Sequence, residues 1–135
     1  MSLSTEVQHA LTDYFRGHPK VLSAWMFGSH ATGQSRADSD VDLAILAESA
    51  LGWEELSAMY VDLMPILSTD HIDIVELIKA PPILAFEAIS GQELTRRDLY
   101  AHLDFVSLTS RRYADVCHSL ESQMAARAEL GCPRD

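Results

Sequence analysis

Three acidic residues and a glycine–serine pair have the types and spacing expected of a phosphoryl-transfer site. The pair Gly28-Ser29 follows a short apolar run, and Asp40 comes after ten intervening residues. Asp42 lies two positions further on, and Asp73 lies in a separate apolar run. Residues two apart on a strand project to the same side, so Asp40 and Asp42 point together. Because two such carboxylates repel each other unless a cation lies between them, the pattern predicts a divalent-metal site beside a phosphate-binding turn.

Magnesium is the cation that this ligand chemistry favours. It prefers oxygen donors and is commonly held by one or two carboxylates together with phosphate oxygens. Two such ions roughly 4 Å apart activate an attacking oxygen and stabilise the leaving one. We therefore expect two magnesium ions, held by Asp40, Asp42 and Asp73, with Asp73 also serving as general base toward an incoming hydroxyl. An unpaired carboxylate buried in an apolar strand is costly, which favours a functional role for Asp73.

The Gly28-Ser29 pair is predicted to hold the phosphates of a nucleotide. Gly28 has no side chain to keep a ligand away from the backbone, and it adopts backbone angles that other residues avoid. Ser29 supplies a hydroxyl and a backbone N–H. A single helical turn predicted over residues 30–32 would direct further N–H groups at the same place.

Apolar patterning locates the elements that must position these residues. Short apolar runs bounded by turn residues predict strands over residues 21–27, 41–46 and 71–78. Helical spacing of apolar residues predicts helices over residues 4–16, 53–67, 81–89 and 98–130, the last either continuous or broken near Thr109-Ser110. Residues 93–94 can add a short edge strand. This mixture of helices and strands predicts one α/β (α+β) domain over residues 1–135 with a small sheet.

Length and charge narrow the classes of partner. A length of 135 residues is typical of one domain. The net charge of −10 does not favour electrostatic binding to the phosphates of a nucleic acid. We therefore expect a metal-chelated nucleotide and a protein or small-molecule acceptor, with no direct nucleic-acid contact. The polar start of the chain and the lack of an apolar run of about 20 residues predict no membrane segment and a cytoplasmic location. Cys117 and Cys132 lack metal-ligand spacing and are expected to be reduced.

The combined pattern resembles the signature of the DNA polymerase β-type nucleotidyltransferase superfamily. The motif is carried by Gly28-Ser29, ten intervening residues and Asp40-Val41-Asp42. The strand with Asp73, followed by Lys79-Ala80-Pro81-Pro82, is similar to the minimal nucleotidyltransferases. More narrowly, the chain resembles the MntA-type antitoxins encoded beside HEPN-domain toxins. The resemblance covers nearly the whole chain and is strongest over residues 25–46 and 71–88.

This resemblance implies a fold, a reaction and a partner. The fold would be a small mixed sheet with helices on one face and the active site at the other. The reaction would transfer AMP from ATP, with magnesium, to a tyrosine of a cognate HEPN ribonuclease toxin, which forms a hetero-oligomer with the antitoxin. Gly28 and Ser29 would hold the triphosphate, and the three acids would bind metal. Many relatives carry an arginine two or three residues after the Gly-Ser pair, where this chain has His30-Ala31-Thr32, so phosphate binding would depend more on backbone amides.

Three other functions are compatible with parts of the sequence. The first is nucleotidyl transfer to a small hydroxylated molecule such as an aminoglycoside, which an acidic surface would suit. The second is a non-catalytic antitoxin that occludes a toxin, although the three acids are intact. The third is the HEPN ribonuclease itself, because Arg97-x4-His102 and Arg112-x5-His118 fit its loose Arg–His spacing. That ribonuclease fold is all-helical, whereas this chain has predicted strands.

Overall fold

The computed structural model describes residues 3–28 and 40–129 of the chain. Its elements in order are α1 (Thr5–Gly17), β1 (Val21–Phe27), β2 (Val41–Ala47), α2 (Trp53–Leu67), β3 (Ile72–Glu76), a 3₁₀ turn (Leu77–Lys79), α3 (Pro82–Ile89), β4 (Gln92–Arg96) and α4 (Leu99–Glu129). The α/β (α+β) fold class is therefore confirmed. Within the described ranges, no helix combines the length and the apolar character that a bilayer crossing requires.

The described sheet has four strands in the order β3-β2-β1-β4. β1 is antiparallel to both β2 and β4, whereas β2 and β3 are parallel. Parallel neighbours need a crossover connection, which α2 provides. The mixed sheet is thus confirmed, and it places the first residues of β2 and β3 at one end, beside the last residues of β1.

Helices cover both faces of this sheet. On one face, α1 and α2 bury a large cluster that includes Leu11, Phe15, Met59 and Leu63. On the other, the α3/α4 face, Ala85 and Ala88 of α3 pack with Trp25, Phe27, Ala44 and Leu46. The expectation of helices on one face alone is wrong, because β2 is apolar on both sides beyond its first two residues.

The element boundaries follow local chemistry. Ser4 caps α1, since its Oγ accepts a hydrogen bond from the Val7 N–H at 3.3 Å. α4 runs without a break through residues 109–110, where Ser110 Oγ donates to Val106 O at 2.8 Å and so finds its partner inside the helix. The third strand is shorter than predicted, because the chain turns into the 3₁₀ segment after residue 76.

Tyr60 of α2 bonds to β3, one of the two edge strands of the described sheet. The Ile74 N–H donates to Tyr60 Oη at 3.1 Å, so this backbone donor bonds to a side chain rather than to a strand. Buried or half-buried backbone donors require a partner, and the tyrosine supplies it here. The contact also links the crossover helix to the strand that carries Asp73.

Glu76 ties the end of β3 to the loop before α2. Its Oε1 accepts from the Leu51 N–H at 2.8 Å, and its Oε2 accepts from Lys79 Nζ at 2.9 Å. Burial raises the pKa of Glu76, but the two hydrogen bonds and the Lys79 charge outweigh this effect and hold the pKa below its usual range. Glu76 is therefore a charged structural link, and Lys79 is engaged in it.

We expect Glu76→Gln to remove a pH-dependent part of the stability. A carboxyl group with a depressed folded-state pKa contributes stability above its unfolded-state pKa, and this is lost as the pH falls through the folded-state pKa. The variant should be less stable than the wild type by about 1 kcal/mol at pH 7, with the difference shrinking as the pH falls through the folded-state pKa. Urea unfolding across this pH range measures it. Glu54→Gln, on an exposed residue of α2, is the matched control, and a Glu76→Gln deficit that stays constant with pH would contradict the assignment.

Candidate active site

Asp42 and Asp73 lie side by side on neighbouring strands. They are paired in the parallel register of β2 and β3, where strands are about 4.8 Å apart and paired residues project to the same side. Ala44 and Val75, two residues further along each strand, pack on the α3/α4 face, so both acids stand on that face. The structure thereby brings together two acids that are 31 residues apart in the sequence.

Asp40 lies at the same end, immediately before β2. The Val41 N–H donates to His71 O at 2.8 Å, which holds the starts of β2 and β3 together. The Asp40 side chain is 67% exposed, and it precedes Asp42 by two residues. All three acids therefore project from one end of two adjacent strands.

These acids supply carboxylate oxygens, which are the ligands that magnesium commonly binds in proteins. Their side chains do not converge on one point, because within residues 3–28 and 40–129 no three His, Cys, Asp or Glu side chains are arranged to hold a metal ion together. Asp40, Asp42 and Asp73 as a joint ligand set thus stay a prediction.

Asp73 is exposed, in contrast to the expectation from its apolar strand. It is the second residue of β3, which is an edge strand of the described sheet, so solvent reaches it. The argument from the cost of an unpaired buried carboxylate therefore does not apply to it. Its candidacy depends instead on its position beside Asp42 and on its accessibility.

Gly28 lies against the carboxylate of Asp42. The preceding residue, Phe27, pairs with Asp42 across β1 and β2, and the chain leaves β1 at Gly28 with φ +77°. A Cβ at this position would collide with Asp42 Oδ2 and lie 3.3 Å from its Cγ. A glycine is needed here both for its backbone angle and for this close approach. Ser29 and residues 30–32 lie outside the described residues, so phosphate binding by Gly28 and Ser29 stays a prediction.

His71 is a neighbour of the acids that the motif does not include. Its Nδ1 lies 3.9 Å from Asp40 Oδ1, and its Nε2 lies 3.5 Å from Asp70 Oδ1. The period of two already places His71 on the same side of its strand as Asp73, although it is not in the predicted ligand set. An imidazole therefore stands among the carboxylates at this end of the sheet.

Arg97 serves as a cap for the end of α1. Its guanidinium donates to Arg16 O and His18 O, both at 2.6 Å, and to Pro19 O at 2.9 Å. Carbonyls at the end of a helix have no intrahelical donor, and a guanidinium can bind several of them at once. Arg97 is thus committed to a structural contact between α1 and β4.

His102 is buried against the sheet, with 5% of its surface exposed. Its Nδ1 lies 2.8 Å from Ser23 Oγ, and its ring stacks on Trp25 with centroids 5.0 Å apart. Neither residue of the Arg97–His102 pair is therefore placed for RNA cleavage. Together with the four-stranded sheet, this makes the interpretation of the chain as an all-helical HEPN ribonuclease wrong.

We expect Arg97→Ala to destabilise the chain by about 2 kcal/mol, because it leaves the end of α1 without charged donors. The neighbouring Arg96→Ala is a matched control, since Arg96 makes one exposed ion pair with Glu93 at 3.2 Å and such pairs contribute about 0–1 kcal/mol. Urea unfolding of the two variants gives the comparison. Equal losses in both would show that the carbonyl contacts of Arg97 contribute nothing specific.

The fold is shared with chains from toxin–antitoxin complexes. A chain of a toxin–antitoxin complex with AMP-PNP is similar with a TM-score of 0.71 and 21% identity, covering 91% of this chain and 98% of that one. A chain of the MntA–HepT complex is similar with a TM-score of 0.68 and 19% identity, covering 91% of this chain and 97% of that one. A chain of the complex between the tri-AMPylated Shewanella oneidensis HEPN toxin and MNT antitoxin is similar with a TM-score of 0.66 and 20% identity. This match covers 89% of this chain and 94% of that one. At these identities the likeness shows the fold alone.

Sequence comparison is more specific about the family. No curated protein matches the chain. Residues 9–100, however, match the family described as "Polymerase beta, Nucleotidyltransferase". This match spans more than half of the chain and contains Gly28, Asp40, Asp42 and Asp73. The chain belongs to the polymerase beta nucleotidyltransferase family.

Proposed function

We propose that this nucleotidyltransferase moves AMP from ATP to a tyrosine hydroxyl of a cognate HEPN toxin and thereby neutralises the toxin. The observation that carries the proposal is the Asp42–Asp73 pair on adjacent parallel strands, with Gly28 packed against Asp42. Two of the similar chains support the reaction and the partner, since one comes from a complex with AMP-PNP and another from a complex with a tri-AMPylated HEPN toxin.

In the proposed reaction, the tyrosine oxygen attacks the α-phosphorus of ATP. A bond forms between these two atoms while the bond from the α-phosphorus to the bridging oxygen breaks, and pyrophosphate leaves. Asp73 accepts the hydroxyl proton. Asp40, Asp42 and Asp73 would hold magnesium, which would neutralise the phosphate charge when bound. Gly28 and Ser29 position the triphosphate, and catalysis comes from orientation and electrostatic stabilisation.

The exposure of Asp73 supports an acceptor on another protein. A general base has to come within about 3 Å of the proton that it removes, so a base for a surface tyrosine must itself be at the surface. Asp73 meets this requirement because it is exposed on an edge strand of the described sheet. The net charge of −10 supports a protein acceptor over a nucleic acid.

The test is AMP transfer between purified components. The chain is incubated with the HEPN toxin encoded by the neighbouring gene, magnesium, and ATP labelled at either the α- or the γ-phosphate. We expect stable label on the toxin from α-labelled ATP only, loss of labelling with EDTA, and a labelled tyrosine in peptide mass spectra. The toxin's ribonuclease activity should fall in parallel with labelling.

Two results would overturn the proposal in different ways. If the toxin is inhibited without any label on either chain, the protein acts by occlusion. If an added aminoglycoside is labelled while the toxin is not, the acceptor is a small hydroxylated molecule.

A further inference from the structure

A pocket of about 200 Å³ lies between the 3₁₀ turn, α3 and α4. Its walls are apolar and include Leu77, Pro82, Ala85 and Phe105. Leu77 lies four residues after Asp73. At the rise of an extended strand, this separation places the two residues about 13 Å apart. The pocket is therefore separate from the acids, although both lie on the α3/α4 face.

Thr109 places a polar group in this apolar pocket. The residue lines the pocket and is 3% exposed. In the part of the chain that the structure describes, its hydroxyl makes no hydrogen bond to protein. A buried hydroxyl without a partner is costly, so this group favours an occupant that can bond to it.

Arg112 lines the same pocket and brings a positive charge to its mouth. Within the described ranges, three cations have no ion pair or hydrogen bond, and all lie on α4: Arg111, Arg112 and Arg127. The other described lysines and arginines all have partners, namely Arg16, Lys20, Lys79, Arg96 and Arg97. Arg112 is therefore a cation at the pocket that has no partner among the described residues, and it would attract an acidic group.

The rim of the pocket is apolar and exposed. Ile78 is 44% exposed and Leu108 is 38% exposed, and both line the pocket. Exposed apolar residues around a well-formed pocket are typical of a site that receives an anchor side chain from another protein. A second copy of this chain is a poorer occupant, since each molecule carries a net charge of −10 and the two repel each other at long range.

We propose that this pocket docks the cognate toxin: it receives one large side chain with an apolar body and a polar group that bonds to Thr109, from a toxin segment that also presents a carboxylate to Arg112. This inference rests on the proposed function for the identity of the partner. Docking here holds the toxin on the α3/α4 face, the face on which Asp42 and Asp73 stand. The pocket thus supplies affinity, while the acids act on a different part of the same partner.

The experiment measures the Kd of the purified chain and toxin by calorimetry for four variants. Leu108→Gln and Arg112→Glu should weaken binding at least about tenfold. Their matched controls on α4 are Leu103→Gln, at a residue that is 50% exposed, and Arg111→Glu, and neither control residue lines the pocket. The controls should stay within about twofold of the wild type. At saturating toxin, kcat for AMP transfer should be unchanged in all four, with the KM for toxin raised only in the first two.

Each contrary outcome has its own meaning. If the wild type binds and labels the toxin but the pocket variants match their controls, the docking inference is wrong and the proposed function stands. If the wild type neither binds nor labels the toxin, both fail. If the wild type alone sediments as a dimer that Arg112→Glu dissociates, the occupant is a second copy and the inference is wrong. Thermal melts that match the wild type's establish that the variants are folded.

Discussion

Asp42→Asn is expected to lower the rate of AMP transfer by at least about a hundredfold while the chain stays folded. Asparagine has the shape of aspartate but lacks the charge that would hold a divalent cation. Asp42 is the half-buried partner of Asp73 in the sheet register, so no other acid takes its place. Single-turnover labelling of the toxin at saturating ATP and magnesium measures the effect.

Asp70→Asn is the matched control for this loss. Asp70 is an exposed acid whose carboxylate lies 3.5 Å from His71, and it is not in the predicted ligand set. The same change of charge there should alter the rate by no more than about twofold. A comparable loss in both variants would mean that the rate responds to general charge and not to Asp42. In cells, a double Asp40→Asn and Asp42→Asn variant that still protects from the toxin would rule out catalysis as the means of neutralisation.

Gly28→Ala should lower activity by disturbing the backbone beside Asp42, without removing any predicted metal ligand. A left-handed backbone angle costs a non-glycine residue about 1–2 kcal/mol, and the added Cβ would also push the Asp42 carboxylate from its position. We expect a rate at least about thirtyfold lower, a weaker affinity for ATP with magnesium, and a loss of stability of about 1–2 kcal/mol. Transfer assays, ATP titration and urea unfolding test the three effects separately.

Gly17→Ala provides the comparison for Gly28→Ala. An added Cβ at Gly17 meets nothing within 4 Å, and its backbone angle is not in the left-handed region. Substitution there should leave activity unchanged and stability neutral or slightly raised. If Gly28→Ala behaved like Gly17→Ala, the close approach of the backbone to Asp42 would have no functional importance.

The sequence predicts the elements well where their ends carry strong local signals. Residues 21–27 and 53–67 match β1 and α2 at both ends, because turn residues bound the apolar strand and Gly52 precedes the helix. The site benefits in the same way. Asp40 and Asp42 share one side of one strand by the period of two alone, so their common direction needs no tertiary information.

The pairing of Asp42 with Asp73 depends on long-range contacts and could not be read from the pattern. It requires the parallel register of β2 and β3, which the α2 crossover and the packing of both faces determine together. The exposure of Asp73 was missed for a related reason, since a short apolar run does not reveal whether its strand is central or outermost. The resemblance implied helices on one face alone, but Ala44 and Leu46 make the second face of β2 apolar as well, so helices cover both.

Arg97 illustrates a different limit of sequence patterns. The Arg–His spacing of residues 97 and 102 fits a nuclease motif, yet both side chains are used to attach α1 and α4 to the sheet. Such spacings arise on any helix or turn, and only the contacts of each side chain distinguish a catalytic pair from structural ones. The apolar pocket beside Arg112 likewise depends on packing between segments distant in sequence.

The Tyr60 hydroxyl on the Ile74 N–H restricts how another polypeptide can approach the acids. An extended peptide that added itself to the sheet beside Asp73 would have to displace this tyrosine to gain the backbone donor. Recognition by strand addition is therefore disfavoured at this edge. An acceptor reaches Asp73 more easily as a side chain projecting from a helix or a turn, which allows modification of a partner without any unfolding of its backbone. Because this hydroxyl occupies the Ile74 N–H, it also disfavours edge-to-edge pairing with a strand of another molecule, which is a common route to aggregation.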